Sequence, residues 1–437
     1  MKNPLSASRG VRPTFGRIAN ILYRFGLTSR KMEDKLNKYI GMTEKFNCFP
    51  TFAVTAVTLK RHPGLMNDLS ERGVELAVHG YVHADHRLIP LERQRIHLRR
   101  AADAFETYGI PFKGFRAPYL RTNGSTLEAL IELQFAYDSS QTIQWPVIEE
   151  SKYAGRRLVE YNRLRDFYKP CDAATYLSLP RSINGLLEIP VSIPDDEALV
   201  ERLGITDEQE ITQIWRAMLE RTHASGELLV LQLHPERIQS CAGALGAVLE
   251  MSRKAKPPVW IAKLGEIAEW WKQRDKFNFE INNEGNGQWR VRANCSDKGT
   301  VLMKNCKADA PSTDWADGYT SVDARDFILE SRVCPRIGVS PNSSEEAIRF
   351  LKGEGFVVEV GAQPESCGIY LGNLKSFNQS DERQISEAIR RSNAPLIRYW
   401  RWGEKAKSAL AITGDIDAIT LVDFVMRLVE VRRRNVR

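Results

Sequence analysis

Two imidazoles four residues apart, His79 and His83 in the stretch His79-Gly80-Tyr81-Val82-His83, can reach one cation from a loop or a helical turn. Histidines at this spacing also serve as ordinary core or surface residues, so the pair takes its meaning from its surroundings. Arg116 opens the segment Arg116-Ala117-Pro118-Tyr119. Its guanidinium can hold a carboxylate through two hydrogen bonds, and the proline fixes a turn whose N–H groups can face an oxyanion; a rim salt bridge would use the same arginine. Asp138 in Tyr137-Asp138-Ser139-Ser140 and His234 in Leu231-Gln232-Leu233-His234-Pro235 add an acid and a third imidazole. A buried Asp beside a His raises the imidazole pKa and keeps a general acid protonated near neutrality. Near the other end, Ser408-Ala409-Leu410-Ala411-Ile412-Thr413-Gly414-Asp415-Ile416-Asp417 reads as a short apolar strand that delivers two carboxylates.

These residues need a frame that brings distant segments to one place, and the hydrophobic pattern supplies it. A helical pattern over residues 17 to 45 precedes a β-branched strand at 51 to 57 and a helix from 63 to 72 closed by Gly73. Strands are expected at 74 to 78, 112 to 116, 135 to 138, 185 to 190 and 227 to 233, with helices at 91 to 108, 125 to 133 and 208 to 222 between them. Repeated strand–helix units argue for a parallel sheet covered by outer helices, an α/β barrel or a close variant, with its chemistry at the C-terminal strand ends. His79, Arg116, Asp138 and His234 all fall at or just beyond such ends. After Arg274 the style changes to short alternating strands rich in Asn and Gly, then helices at 344 to 353 and 381 to 392 among further strands, an α+β pattern without a chemical motif.

Taken together, the HxxxH pair, the Arg116–Tyr119 segment, the later Asp138 and the Leu231-Gln232-Leu233-His234 motif resemble the polysaccharide-deacetylase family, also called the NodB-homology group or carbohydrate esterase family 4. The likeness covers residues 50 to 240, in family order, and Glu188-Ile189-Pro190-Val191-Ser192-Ile193-Pro194 resembles a further family strand. Family members begin with a strand ending in paired acids, and residues 1 to 50 contain none. The Asp415-Ile416-Asp417 strand resembles a variant of that motif with one residue between the acids, which implies a circular permutation in which the first barrel strand comes last in the chain. A domain-swapped homo-oligomer would supply the same strand in trans; alternatively the two acids lie on an unrelated surface strand. The implied fold is α/β, an irregular (β/α) barrel over residues 1–275 completed by 405–437, with an inserted α+β unit at 276–404.

The resemblance further implies roles. Asp417, His79 and His83 would bind a divalent metal ion, zinc for preference over cobalt, nickel, manganese or iron, because two imidazoles and a carboxylate suit it. Asp415 would be the catalytic base, Arg116 would orient it, the backbone near Tyr119 would help hold the oxyanion, and His234 supported by Asp138 would protonate the leaving amine. Asp85 and His86 are the substitute ligands if the C-terminal strand lies elsewhere. The implied reaction is removal of an acetyl group from an N-acetylated sugar or glycan intermediate, by hydrolysis of a C–N bond other than a peptide bond. Hydrolysis of a non-sugar amide or cyclic ureide, and carbohydrate binding by a barrel that has lost its metal, are the alternatives.

The composition fits these expectations. At 437 residues with 43% hydrophobic and 27% charged content, the chain can bury a large core and is neither disordered nor fibrous. No secretion signal or membrane-spanning run is recognised, so a cytoplasmic location is expected. The seven cysteines lack CxxC spacing and read as reduced thiols. The net charge of +7 is concentrated in part at the C-terminus, where Arg432, Arg433, Arg434 and Arg437 follow an apolar helical pattern. That end suits a solvated helix terminus or a peripheral contact with anionic lipid; no nucleic-acid partner is expected.

Overall fold

The computed structural model describes residues 24–434. Its centre is a curled, largely parallel sheet, the irregular (β/α) barrel expected of the motifs. Along it run Cys171–Asp172, Thr142–Gln144, Val191–Ile193, Leu228–Gln232, Ser408–Ile416, Thr51–Val54, Glu75–Val78, Gly114–Phe115, Tyr137–Asp138 and Leu186–Glu188, with Arg181–Ile183 antiparallel at the edge. Helix Arg30–Glu44 precedes the first described strand, and helices Pro63–Glu71, Leu91–Thr107, Gly124–Glu132, Glu208–Ser225 and Ile238–Lys254 lie between strands in the chain. Their apolar residues, among them Leu36, Tyr39, Leu98, Phe105, Trp215 and Leu245, form one core with the outward faces of the strands. Because the strands are parallel, the residues that follow them emerge at one rim, which gathers the site.

The C-terminal strand Ser408–Ile416 stands in the middle of this sheet, and all nine of its residues are buried. One edge pairs with Val259–Ile261 over its first residues and with Thr51–Val54 over its last, Ala53 facing Asp415. The other edge pairs with Leu228–Gln232. Gly414 is a requirement of this packing: a Cβ there would stand 2.2 Å from the Leu233 carbonyl oxygen.

Three local departures from the sequence pattern have simple causes. The strand expected over residues 51 to 57 ends at Val54, because the Thr55 hydroxyl accepts from the Thr58 N–H and caps a helix, Ala56–Arg61. The helical pattern expected over residues 17 to 45 is interrupted between Arg24 and Arg30, where Gly26 and the cap position Ser29 precede the helix Arg30–Glu44; positions 17 to 23 lie outside the described residues. In residues 276–404 two antiparallel four-stranded sheets are joined by a parallel three-stranded one, Val358–Val360, Cys334–Val339 and Cys367–Leu371, which the sequence pattern did not separate from the rest. This part meets the barrel through a tryptophan seam. Trp402 packs on Trp271 and Trp260, and its indole N–H donates to the Gly226 carbonyl at 3.0 Å. Below it Glu354 is buried between Arg398 and Arg401. All seven cysteines are unpaired.

Candidate active site

His79 follows the strand Glu75–Val78, and its own N–H continues the ladder to the Val54 carbonyl at 2.9 Å. The side chain is completely buried, and Nδ1 lies 2.7 Å from the Arg116 carbonyl oxygen. That bond requires the proton on Nδ1 and leaves the Nε2 lone pair facing into the rim. His83 comes round on the turn after Gly80, whose φ of +78° only glycine adopts freely. Asp417 arrives from the far end of the chain, just past the central strand. His79 Nε2 stands 3.4 Å from Asp417 Oδ1, and His83 Nε2 3.3 Å from Oδ2.

Those three side chains can present ligand atoms all within 4.8 Å of one another, and no other group of three or more His, Cys, Asp or Glu does so among the described residues. His79 Nε2 and Asp417 Oδ1 are buried and make no hydrogen bond. Two acceptor atoms facing each other in a dry site are costly unless a proton or a cation lies between them. Burial holds the His83 imidazole well below its usual pKa despite the Asp417 charge, in the neutral form a metal requires. Burial also opposes the Asp417 charge, but with the imidazoles neutral the Arg427 guanidinium still holds the carboxyl below the usual range. The donor set therefore fits a divalent cation. Arg427, on the C-terminal helix Leu421–Arg434, pairs with Asp417 Oδ2, the oxygen that also faces His83, and leaves Oδ1 to His79.

Asp415 points into the same space. Arg116 Nη1 reaches its Oδ1 at 3.3 Å, and Gln232 donates to Oδ2 at 3.0 Å. The arginine is itself fixed by Thr413 Oγ1, the Ser139 carbonyl and Ser139 Oγ, each at 3.0 Å. Held by two donors at the edge of the cleft, Asp415 keeps an oriented carboxylate beside His79, 3.9 Å away, and His234, 4.0 Å away. Tyr119 closes one wall with its ring edge-on to His83, centroids 4.4 Å apart, and sits in the left-handed region at φ 63°. A bulky residue there is a strained position of the kind that functional turns retain. Asp85, by contrast, is engaged with Arg121 at 3.1 Å and with the Arg87 N–H, and His86 packs against Phe115; neither joins the cluster.

The expected pairing of Asp138 with His234 is incorrect. Asp138 accepts from Ser140 Oγ and lies beside Glu188, and burial pushes its carboxyl up to about 6. Ser140 Oγ in turn accepts the Ala117 N–H at 2.8 Å, so Asp138 braces the Arg116–Tyr119 turn from behind. The partner of His234 is Asp196, 2.9 Å from Nδ1 and anchored by Arg237 Nη1 at 2.8 Å. The sequence signal was present in Asp195-Asp196, which follows the strand Val191–Ile193 by one residue. Sheet order keeps the expected acid away: Asp138 belongs to a strand four places removed from the central one, on the side away from Leu228–Gln232.

Burial alone would lower the His234 pKa, but the charge of Asp196 overrides it and raises the imidazole to about 10. The folded pKa is above the ordinary 6.5, so this group stabilises the fold fully below 6.5 and loses that contribution as pH rises to about 10. Asp196→Asn is expected to move the alkaline limb of the pH–rate profile downward, because the amide keeps the Nδ1 contact without the charge. Asp138→Asn is expected to leave that limb in place, and the two profiles measured side by side decide between the acids.

A cavity of about 310 Å³ opens over these groups, lined by His83, Tyr119, His234, Asp415, Asp417 and Arg427 among others. Residues 31–137 match the family model described as polysaccharide deacetylase, a stretch that contains His79, His83 and the Arg116–Tyr119 turn. The fold and this match establish the resemblance: the chain carries a deacetylase-type barrel. No curated protein matches. Among solved structures, a polysaccharide deacetylase from Mycobacterium smegmatis is 23% identical with a TM-score of 0.44, over 59% of this chain and 82% of its own. A polysaccharide deacetylase from Pseudomonas aeruginosa is 18% identical, TM-score 0.43, over 54% and 72%. A structure described as Puue allantoinase is 19% identical with the same TM-score and coverage.

Proposed function

We propose that this chain is a metal-dependent hydrolase that removes an acetyl group from an N-acetylated sugar or glycan intermediate. The observation that carries the reading is the convergence of Asp415 and Asp417 on His79 and His83, with His79 Nε2 and Asp417 Oδ1 buried and unbonded. His79, His83 and Asp417 would hold the cation, for which zinc suits the ligand set best. When bound, such an ion supplies Lewis acidity that acidifies water and polarises an acyl carbonyl.

The remaining chemistry falls to the protein. Asp415 takes the proton from the attacking water, and Arg116 and Gln232 hold its carboxylate in place. The backbone N–H of Tyr119 itself is the donor for the developing oxyanion. His234, protonated under the influence of Asp196, delivers its proton to the departing amine. In this reading the chain is a circular permutation of the family order: residues 1–275 form most of the barrel, 276–404 are an insertion, and 405–437 return the first strand and its helix. Acetate release from a panel of N-acetyl sugars, using zinc-loaded protein, tests the reaction; a metal-loaded enzyme that releases acetate from none of them contradicts the substrate class.

A further inference from the structure

The helix Leu421–Arg434 has two faces with different fates. On one, Asp423 binds His62 at 2.8 Å, Glu430 pairs with Arg61 and Arg427 with Asp417, while Phe424 stacks on Phe25 with centroids 5.4 Å apart. These contacts fix the helix to the barrel at the cavity mouth. On the other, Val422, Val425 and Met426 recur at three- and four-residue steps and are 59%, 51% and 36% exposed. Leu27, 77% exposed, stands at the start of the same helix, because the Leu421 N–H bonds the Gly26 carbonyl at 2.8 Å. Exposed large aliphatics grouped on one face, with Asp423, Arg427 and Glu430 turned inward, are the reverse of a solvent-facing pattern.

Charge singles out the same corner. Residues 1–32 contain seven Lys and Arg and no Asp or Glu, and residues 431–437 contain four and none. The whole chain is only +7, so the body of the protein is net acidic and its positive charge belongs to the two segments that adjoin this helix. Gly26 and Thr420 form a β-bridge, which sets Leu27 beside the start of the helix. A nucleic acid or acidic glycan would use the charge but has no use for four exposed aliphatics. A lipid surface uses both, the cations on anionic headgroups and the aliphatics just beneath them.

We propose that the Leu27 corner and the outer face of the Leu421–Arg434 helix dock on an anionic membrane surface. Phe424 and Arg427 on the inner side of that helix line the cavity with His83 and Asp417, so docking sets the cavity mouth beside the headgroup layer. Among the described residues no helix is long and apolar enough to cross a membrane.

The test is co-sedimentation of the full chain with vesicles of phosphatidylglycerol and phosphatidylcholine, against phosphatidylcholine alone. The comparison variant is Val422→Gln, Val425→Gln, Met426→Gln, which keeps helix-forming residues at exposed positions. The wild type is expected to partition onto the anionic vesicles, weakly onto the neutral ones, and the triple variant to lose roughly tenfold or more of that partition. Heparin serves as a polyanion without an apolar layer, and its binding is expected to be unchanged by the substitutions. Wild-type protein that ignores anionic vesicles, or a triple variant that binds them as tightly as wild type, overturns the proposal; the second outcome assigns the corner to a soluble polyanion. A concentration-dependent dimer abolished by the triple substitution, without vesicle binding, assigns the face to a second copy instead. Vesicle binding requires neither metal nor turnover, so metal content measured on the same samples keeps this result separate from that of the proposed reaction.

Discussion

Asp417→Asn is expected to abolish stoichiometric binding of a divalent cation, and Asp415→Asn, two residues away, to retain the cation and lose turnover by roughly 10²- to 10⁴-fold. The contrast follows from what each carboxylate faces. Asp417 lies against His79 Nε2 and His83 Nε2, at 3.4 and 3.3 Å, so its loss removes the anionic member of a three-ligand set. Asp415 is held by Arg116 and Gln232 and has only the longer approach to His79. Asparagine preserves the shape at both positions, and both variants are expected to fold. Metal analysis of the purified variants, with kcat and KM measured separately, reads the difference. Equal metal loss in the two variants would mean that both acids are ligands and that the base lies elsewhere.

Ending the chain before residue 405 is expected to have a larger structural effect, namely loss of soluble, cooperatively folding protein. The strand Ser408–Ile416 bonds to neighbours along both edges, and all its residues are buried. Its removal leaves Leu228–Gln232 and Thr51–Val54 as two open parallel edges, apolar and wide enough to pair with other chains. The lost helix would also uncover Phe25 and leave His62 and Arg61 without Asp423. Supplying residues 405–437 as a separate peptide during refolding is expected to restore part of the soluble fraction. Circular dichroism and urea unfolding of the shortened chain provide the measurement; a truncated protein with a wild-type unfolding curve would contradict the central position of the strand.

Much of this arrangement was legible in the sequence because strand-end chemistry leaves a local signature. A parallel strand buried on both faces must be apolar, and the first polar residue beyond it points into the rim. His79, Arg116 and Asp415 were read in this way, and Asp415 meets Arg116 across 299 residues of sequence. What the sequence hid were partnerships decided by sheet order. Asp196 and Gln232 reach His234 and Asp415 only because Val191–Ile193, Leu228–Gln232 and the C-terminal strand are consecutive in the sheet, an order that periodicity does not carry. Arg427 was hidden for a related reason, since an arginine in a basic C-terminal helix reads as a solvated end until its other face is seen against Asp417. Thr55 gave a cap signal that the β-branched run around it masked.

The central claim is that residues from opposite ends of the chain form one metal centre. A crystal of the full-length protein loaded with zinc, with anomalous diffraction collected at the zinc edge, tests it most directly. The account predicts a single strong peak bonded to His79 Nε2, an imidazole nitrogen of His83 and the Asp417 carboxylate, at roughly 2.0 to 2.2 Å. A peak beside Asp85 and His86, or none within reach of Asp417, would contradict it.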